Sequence, residues 1–229
     1  AKSARHAVER AIPLLQATAP AVWKTRGCVS CHSNTLPEMV TSLARKQGYS
    51  LDVAAAKRER AVSISTGSGN LHGLLNGTGV MGGPVYFLTA LGLDQEPANR
   101  FTDATFHKIA FRQDPDGKWD FRTYRPPSEY SYITATAMAV MSLRAYHTPG
   151  RAAEIKERIE RAGEWLRVQK ATGVEEQAMR LMGLAAANCG IDQAVADLLA
   201  SADEGGSSYA LRCALNAAAS YAFIMRNGK

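Results

Sequence analysis

The segment Tyr132–Leu143 reads Tyr-Ile-Thr-Ala-Thr-Ala-Met-Ala-Val-Met-Ser-Leu and holds no charged residue. As a helix it has no polar stripe to offer water, so it must be enclosed by neighbours on every side. The following segment is its opposite. In Ala152–Val168, the residues Ile155, Ile159, Ala162 and Leu166 recur at helical spacing, while Glu154, Lys156, Glu157 and Glu160 take the other face.

The same alternation can be traced along the whole chain. Amphipathic Arg5–Thr18, Asp52–Ser65, Thr102–Arg112, Ala152–Val168 and Gln193–Ser201 precede the more apolar Thr35–Lys46, Val80–Leu91, Tyr132–Leu143, Glu176–Asn188 and Ser208–Met225. About five helix pairs with a period of roughly 35–55 residues fall in the range of solenoids and closed helical arrays. Val85–Thr89 could pass for a strand, but Ala90-Leu91-Gly92 reads as a helix end. The expectation is therefore an all-α chain. An inner apolar layer wrapped by an outer amphipathic layer is an α/α toroid, closed or partial, of about five hairpins. An irregular helical bundle is the competing architecture.

At 229 residues the chain is long enough for one sizeable core, and no linker interrupts it, so residues 1–229 are expected to form a single domain. No stretch reaches the roughly 20 apolar residues of a membrane span. The start, Ala1-Lys2-Ser3-Ala4-Arg5, leads into no signal-peptide core, so an exported protein would be present here as its mature form with the leader removed. The net charge of +6 is spread through mixed runs such as Lys57-Arg58-Glu59-Arg60 and Glu157-Arg158-Ile159-Glu160-Arg161. Such runs are solvated helix faces, so no nucleic-acid partner is expected.

Gly27-Cys28-Val29-Ser30-Cys31-His32 carries the chemistry. C-x-x-C-H is the attachment sequence of c-type haem: thiols three positions apart reach both vinyl groups of one porphyrin, and the next residue supplies an axial imidazole. Cys28 and Cys31 are then the attachment thiols and His32 the proximal iron ligand. Thr35-Leu36-Pro37-Glu38 has the form of a capping box opening the next helix. Three other readings stay open. A redox-active pair of thiols would want a βαβ setting, zinc would want a second ligand pair, and a plain disulfide wants nothing further. The sixth iron ligand has three candidates, ranked His107, then Met81, which follows Gly77-Thr78-Gly79-Val80, then His72. An open sixth position would turn the protein towards small-ligand binding.

Gln113-Asp-Pro-Asp-Gly117-Lys-Trp119 resembles the Q-x-x-x-G-x-W repeat of the squalene–hopene cyclase and prenyltransferase-like toroids. In those proteins Gln ties down helix-end carbonyls and Trp packs over it. Gln169-Lys-Ala-Thr-Gly173 is similar to a copy without its Trp, Gln16 followed by Trp23 is weaker, and Asp203-Glu204-Gly205-Gly206 resembles an eroded last copy. Together with Arg125-Pro126-Pro127-Ser128, Thr134-Ala135-Thr136-Ala137 and Leu143-Arg144-Ala145-Tyr146, the chain from about Ala11 to Ala219 resembles secreted bacterial squalene-cyclase-like proteins that carry a C-x-x-C-H motif between their first two helices. The resemblance implies a toroid, covalent haem c and a periplasmic or secreted location. It implies no defined activity.

Haem attachment of this kind requires export, and Cys189 and Cys213 would then face an oxidising compartment, either paired or as two buried free thiols. Three functions compete. The first is a haem protein in electron transfer or haem-linked sensing, with a redox partner protein or a small ligand. The second is a cyclase- or lyase-like enzyme using the toroid cavity. No Asp-x-Asp-Asp acid motif is present, no zinc-ligand spacing is recognisable, and Asp114-Pro-Asp116 belongs to the Gln113 turn, so the reading leans away from an enzyme. The third is a binding module contacting its partner through Arg122, Tyr124 and Arg125.

Overall fold

The computed structural model describes residues 3–26, 31–79, 81–125, 129–146 and 150–203. Among the described residues every regular element is a helix, and the only strand-like pairing is an isolated bridge between Arg125 and Glu129. The chain divides into two compact units, residues 1–79 with 83–108, and residues 80–82 with 109–229.

In the first unit, α1 (Ala4–Arg26) continues well beyond Thr18 and contains Pro13 and Pro20. A proline removes one backbone donor and crowds the carbonyl four residues earlier, yet the helix carries on. It lies against a π-helical turn, Cys31–Thr35, and against α2 (Leu36–Lys46) and α3 (Val53–Ser68). Gln16 and Trp23 therefore stand on one continuous helix, with no repeat turn between them. Gln16 nonetheless bridges helices: Nε2 donates to the Asp52 carbonyl at 2.8 Å, and Oε1 accepts from the Asp52 N–H at 3.0 Å. Asp52 in turn caps α3, its side chain accepting from the Ala55 N–H.

A short α4 (Leu71–Leu75) was not legible as a helix. It joins α3 to α5 (Gly82–Leu93) and α6 (Arg100–Phe111) through an apolar cluster of Leu74, Leu91, Phe101 and Ala104, with Ile64, Leu71 and Phe87 packed against it. Phe87 and Phe101 meet edge to face, their centroids 5.9 Å apart. Val85–Thr89 is part of α5, buried along most of its length.

The second unit gives the alternation its physical form. In α7 (Tyr132–Ala145), every residue from Ile133 to Leu143 is buried. α8 (Ala152–Val168) buries Ile155, Ile159, Ala162 and Leu166 and leaves its Lys and Glu face outside. α7 packs on α8 and α9 (Val174–Ala187), and α9 packs on α8 and α10 (Ile191–Asp203). Ile133, Leu166, Leu181, Leu184, Ala194 and Leu198 form the shared core. Each leucine or isoleucine among them contributes roughly 1.5–3 kcal/mol on full burial. The hydroxyls inside α7 are all partnered: Thr136 accepts from the Trp119 N–H, Thr134 donates to Glu175, and Ser142 donates to the Ala139 carbonyl.

The Gln113 turn divides its work differently from the expectation. The Trp119 indole, without solvent exposure, donates to the Ile109 carbonyl near the end of α6 at 2.7 Å. Gln113 instead reaches across to α8, donating to the Arg158 carbonyl at 2.9 Å and to the Gly117 carbonyl at 3.0 Å. Gly117 has φ +101, and a Cβ there would lie 2.6 Å from the Arg161 carbonyl oxygen, so only glycine fits.

At Gln169, expected as a copy without its tryptophan, helix-end carbonyls are also bound by side chains. Gln169 donates to the Trp165 carbonyl, and Arg180 of α9 binds the carbonyls of Leu166 and Arg167 at 2.8 and 2.7 Å and Asp197 of α10 at 2.9 Å. A guanidinium has enough N–H groups to satisfy all three. Of the last expected copy, Asp203 ends α10, and Glu204, Gly205 and Gly206 lie outside the described residues.

Candidate functional site

The C-x-x-C-H sequence falls between α1 and α2. Gly27, Cys28, Val29 and Ser30 lie outside the described residues, as do the side chains of Cys31 and His32. The backbone of Cys31 and His32 opens the π turn, which runs without a break into α2. π turns are rare and occur frequently at functional positions.

This entry geometry overturns the expected capping box. Thr35 has helical φ −73 and ψ −33, and its side chain makes no capping hydrogen bond. Because the chain arrives already coiled, the first N–H groups of α2 are not the open end that a capping box serves. Pro37 is accommodated in the first turn, as expected.

Glu38, freed from capping, turns inward. It is 6% exposed, accepts from Ser63 Oγ at 3.2 Å, and lies 4.0 Å from Arg60 Nε. Burial pushes its carboxyl up to about 7, against the opposing pull of the Ser63 hydrogen bond and the Arg60 charge. Arg60 is shared further: it pairs with Asp94, and its Nη1 lies 3.6 Å from Glu96. Asp94 also accepts from Ser42 and Arg45, each at 2.6 Å. Buried charges persist only when paired and hydrogen-bonded in this manner. The network binds α2, α3 and the residues after α5 to one another.

Asn34, two residues after His32, is 1% exposed and donates to the Ala19 carbonyl of α1 and to Glu59 of α3. Beside it opens a cleft lined by Leu15, Ala19, Pro37, Glu38, Ala55 and Glu59, with an empty volume of about 290 Å³ including its mouth.

The candidate distal ligands have separate surroundings. His107 is exposed on α6. His72 is exposed on α4, and its ring nitrogens lie 3.2 and 3.1 Å from Asn76 Nδ2. Met81 belongs to the second unit, is 1% exposed, and donates its N–H to the Phe121 carbonyl at 3.1 Å. The loop ahead of it is held in the first unit by Lys108, a buried lysine whose Nζ donates to the Thr78 carbonyl. Among the described residues no three His, Cys, Asp or Glu side chains gather as a metal site. Cys189 carries a free thiol beside Gly163, and Cys213 lies outside the described residues.

Two further carboxylates escaped the sequence reading. Glu129 is wholly buried, paired with Arg125 and packed against Gly82. Glu175 accepts from Thr134 at 2.8 Å, and burial pushes its carboxyl up to about 7. Nothing in the sequence around either residue marks it as inward-facing. Tyr124, 77% exposed, meets Tyr130 edge to face at 6.1 Å between centroids, next to exposed Arg122 and Arg125.

No helix among the described residues is long and apolar enough to cross a membrane. In comparison with family models, with curated proteins and with solved structures, the chain matches none.

Proposed function

We propose that the protein is an exported c-type haem protein acting in electron transfer or haem-linked sensing, on an α/α-toroid scaffold. The observation that carries this reading is the C-x-x-C-H spacing at Cys28, Cys31 and His32, set at the entrance to α2. Cys28 and Cys31 would hold the porphyrin through thioether bonds, and His32 would bind the iron. The donor set fits the group: two thiols and an imidazole at the spacing that one porphyrin needs. The bound haem would supply one-electron chemistry at iron.

The chain's own contribution is support and polarity. Asn34 and the Arg60–Asp94 network hold the turn's neighbours in place. His107, Met81 and His72 remain the ranked candidates for the sixth position, and an open position would suit a small ligand. The alternating buried and amphipathic helices, with the Gln113–Trp119 turn, support the toroid. A periplasmic or secreted location follows from the haem, because the cysteines must meet it outside the cytoplasm.

The test is production of the exported chain alongside cytochrome maturation machinery, followed by a haem stain on a denaturing gel. A stained band at the chain's mass, lost in Cys28→Ala/Cys31→Ala, is expected. An unstained band in a host that matures a control cytochrome removes the proposal.

A further inference from the structure

The carboxamide of Asn34 is fully engaged as a donor. Its nitrogen lies 3.1 Å from the Ala19 carbonyl oxygen and 3.3 Å from Glu59 Oε2. An amide nitrogen carries two hydrogens, one for each acceptor. Both bonds leave the π turn, one to α1 and one to α3, from a side chain with almost no contact with water.

This matters because of the turn's geometry. A π turn amounts to one extra residue inserted in a helix, and it is rare, occurring mostly as a single turn. Left to itself it relaxes to α geometry. That relaxation would rotate Cys31 and His32 by about 100° relative to α2.

We infer that Asn34 is a positioning residue for the haem proposed above, clamping the π turn to α1 and α3 so that the backbone of Cys31 and His32 keeps one orientation. The inference rests on the haem reading. Aspartate at position 34 has nearly the same shape, but it has no hydrogens to donate and sets a second negative charge against Glu59. Glutamine at position 59 keeps an acceptor oxygen and loses only the charge.

The test uses the haem-loaded ferric protein. Its hyperfine-shifted haem-methyl proton resonances report the orientation of the axial imidazole, and its reduction midpoint reports the iron's surroundings. Asn34→Asp is expected to reorder the methyl resonances and shift the midpoint, with Glu59→Gln keeping the wild-type order. Asn34→Ser, smaller and uncharged, serves if the aspartate variant does not fold, and the same reordering is expected. Ile155→Val in the second unit, a purely packing change, should leave both readouts unmoved. A haem-loaded position-34 variant with wild-type resonances and midpoint overturns the inference while leaving the haem reading intact. Wild-type protein that takes up no haem overturns both.

Discussion

The Trp119 indole N–H donates to the Ile109 carbonyl at 2.7 Å from a site without solvent exposure. Removing the donor while keeping an aromatic ring leaves that carbonyl unsatisfied. Trp119→Phe should therefore cost the desolvation of one buried acceptor plus a cavity, about 2–4 kcal/mol together. Urea unfolding would measure it. A loss below about 0.5 kcal/mol would mean that the contact carries no weight.

Arg180 should be equally intolerant of a conservative change. Its guanidinium serves the carbonyls of Leu166 and Arg167 together with Asp197. A lysine cannot reproduce this fork, so Arg180→Lys should destabilise by about 1–3 kcal/mol. Amide hydrogen exchange would show the loosening at the end of α8 and along α10. Unchanged protection there would contradict the assigned role.

Gly117→Ala forces a side chain into a left-handed conformation at φ +101, with its Cβ 2.6 Å from a backbone oxygen of α8. The conformational strain alone is about 1–3 kcal/mol, and the clash adds to it. The expected result is a thermal midpoint lowered by several degrees. An unchanged midpoint would show that the turn relaxes freely.

Glu38 makes stability depend on pH with a definite sign. Its folded-state value of about 7 stands above the ordinary 4.5, so between these limits the folded protein holds a proton that the unfolded chain has released. Stability contributed by this group is constant below about 4.5, falls as pH rises towards 7, and is then constant again. Glu175, raised to about 7 by burial, acts in the same direction. Glu154 acts in a lower window. Hydrogen bonds from Arg151 hold it down to about 2, and the stability it provides is lost as pH falls from about 4.5 towards that value. Glu38→Gln should reduce the slope between 4.5 and 7, leaving the share of Glu175, and gain on the wild type at pH 8, by a few kcal/mol at most. Melting curves across pH would reveal a slope unchanged by the substitution if the account is wrong.

What could be read from the sequence follows a physical division. Helices with a strong apolar stripe, such as α8, or with no charge, such as α7, declare themselves because burial alone decides their placement. α1 runs to Arg26, past the expected end at Thr18. Pro20 lies just past that expected end and removes a helical donor, yet the contacts of α1 with the π turn, α2 and α3 outweigh local propensity. The box at Thr35 misled because its residues fit two geometries, and the π turn that chooses between them depends on Ala19 and Glu59, both distant in sequence. Glu38 signalled a cap and Arg60 a solvated face, because the partners that draw them inward are distant in sequence. The three acceptors of Arg180 lie on α8 and α10, so its role has no local signature either.

The central claim is covalent, and intact-mass spectrometry of protein recovered from its native source tests it most directly. The account predicts a single species heavier than the polypeptide by one haem, with Cys28 and Cys31 protected from alkylation after denaturation and reduction. A species at the bare polypeptide mass, with both thiols alkylated after reduction, would contradict it.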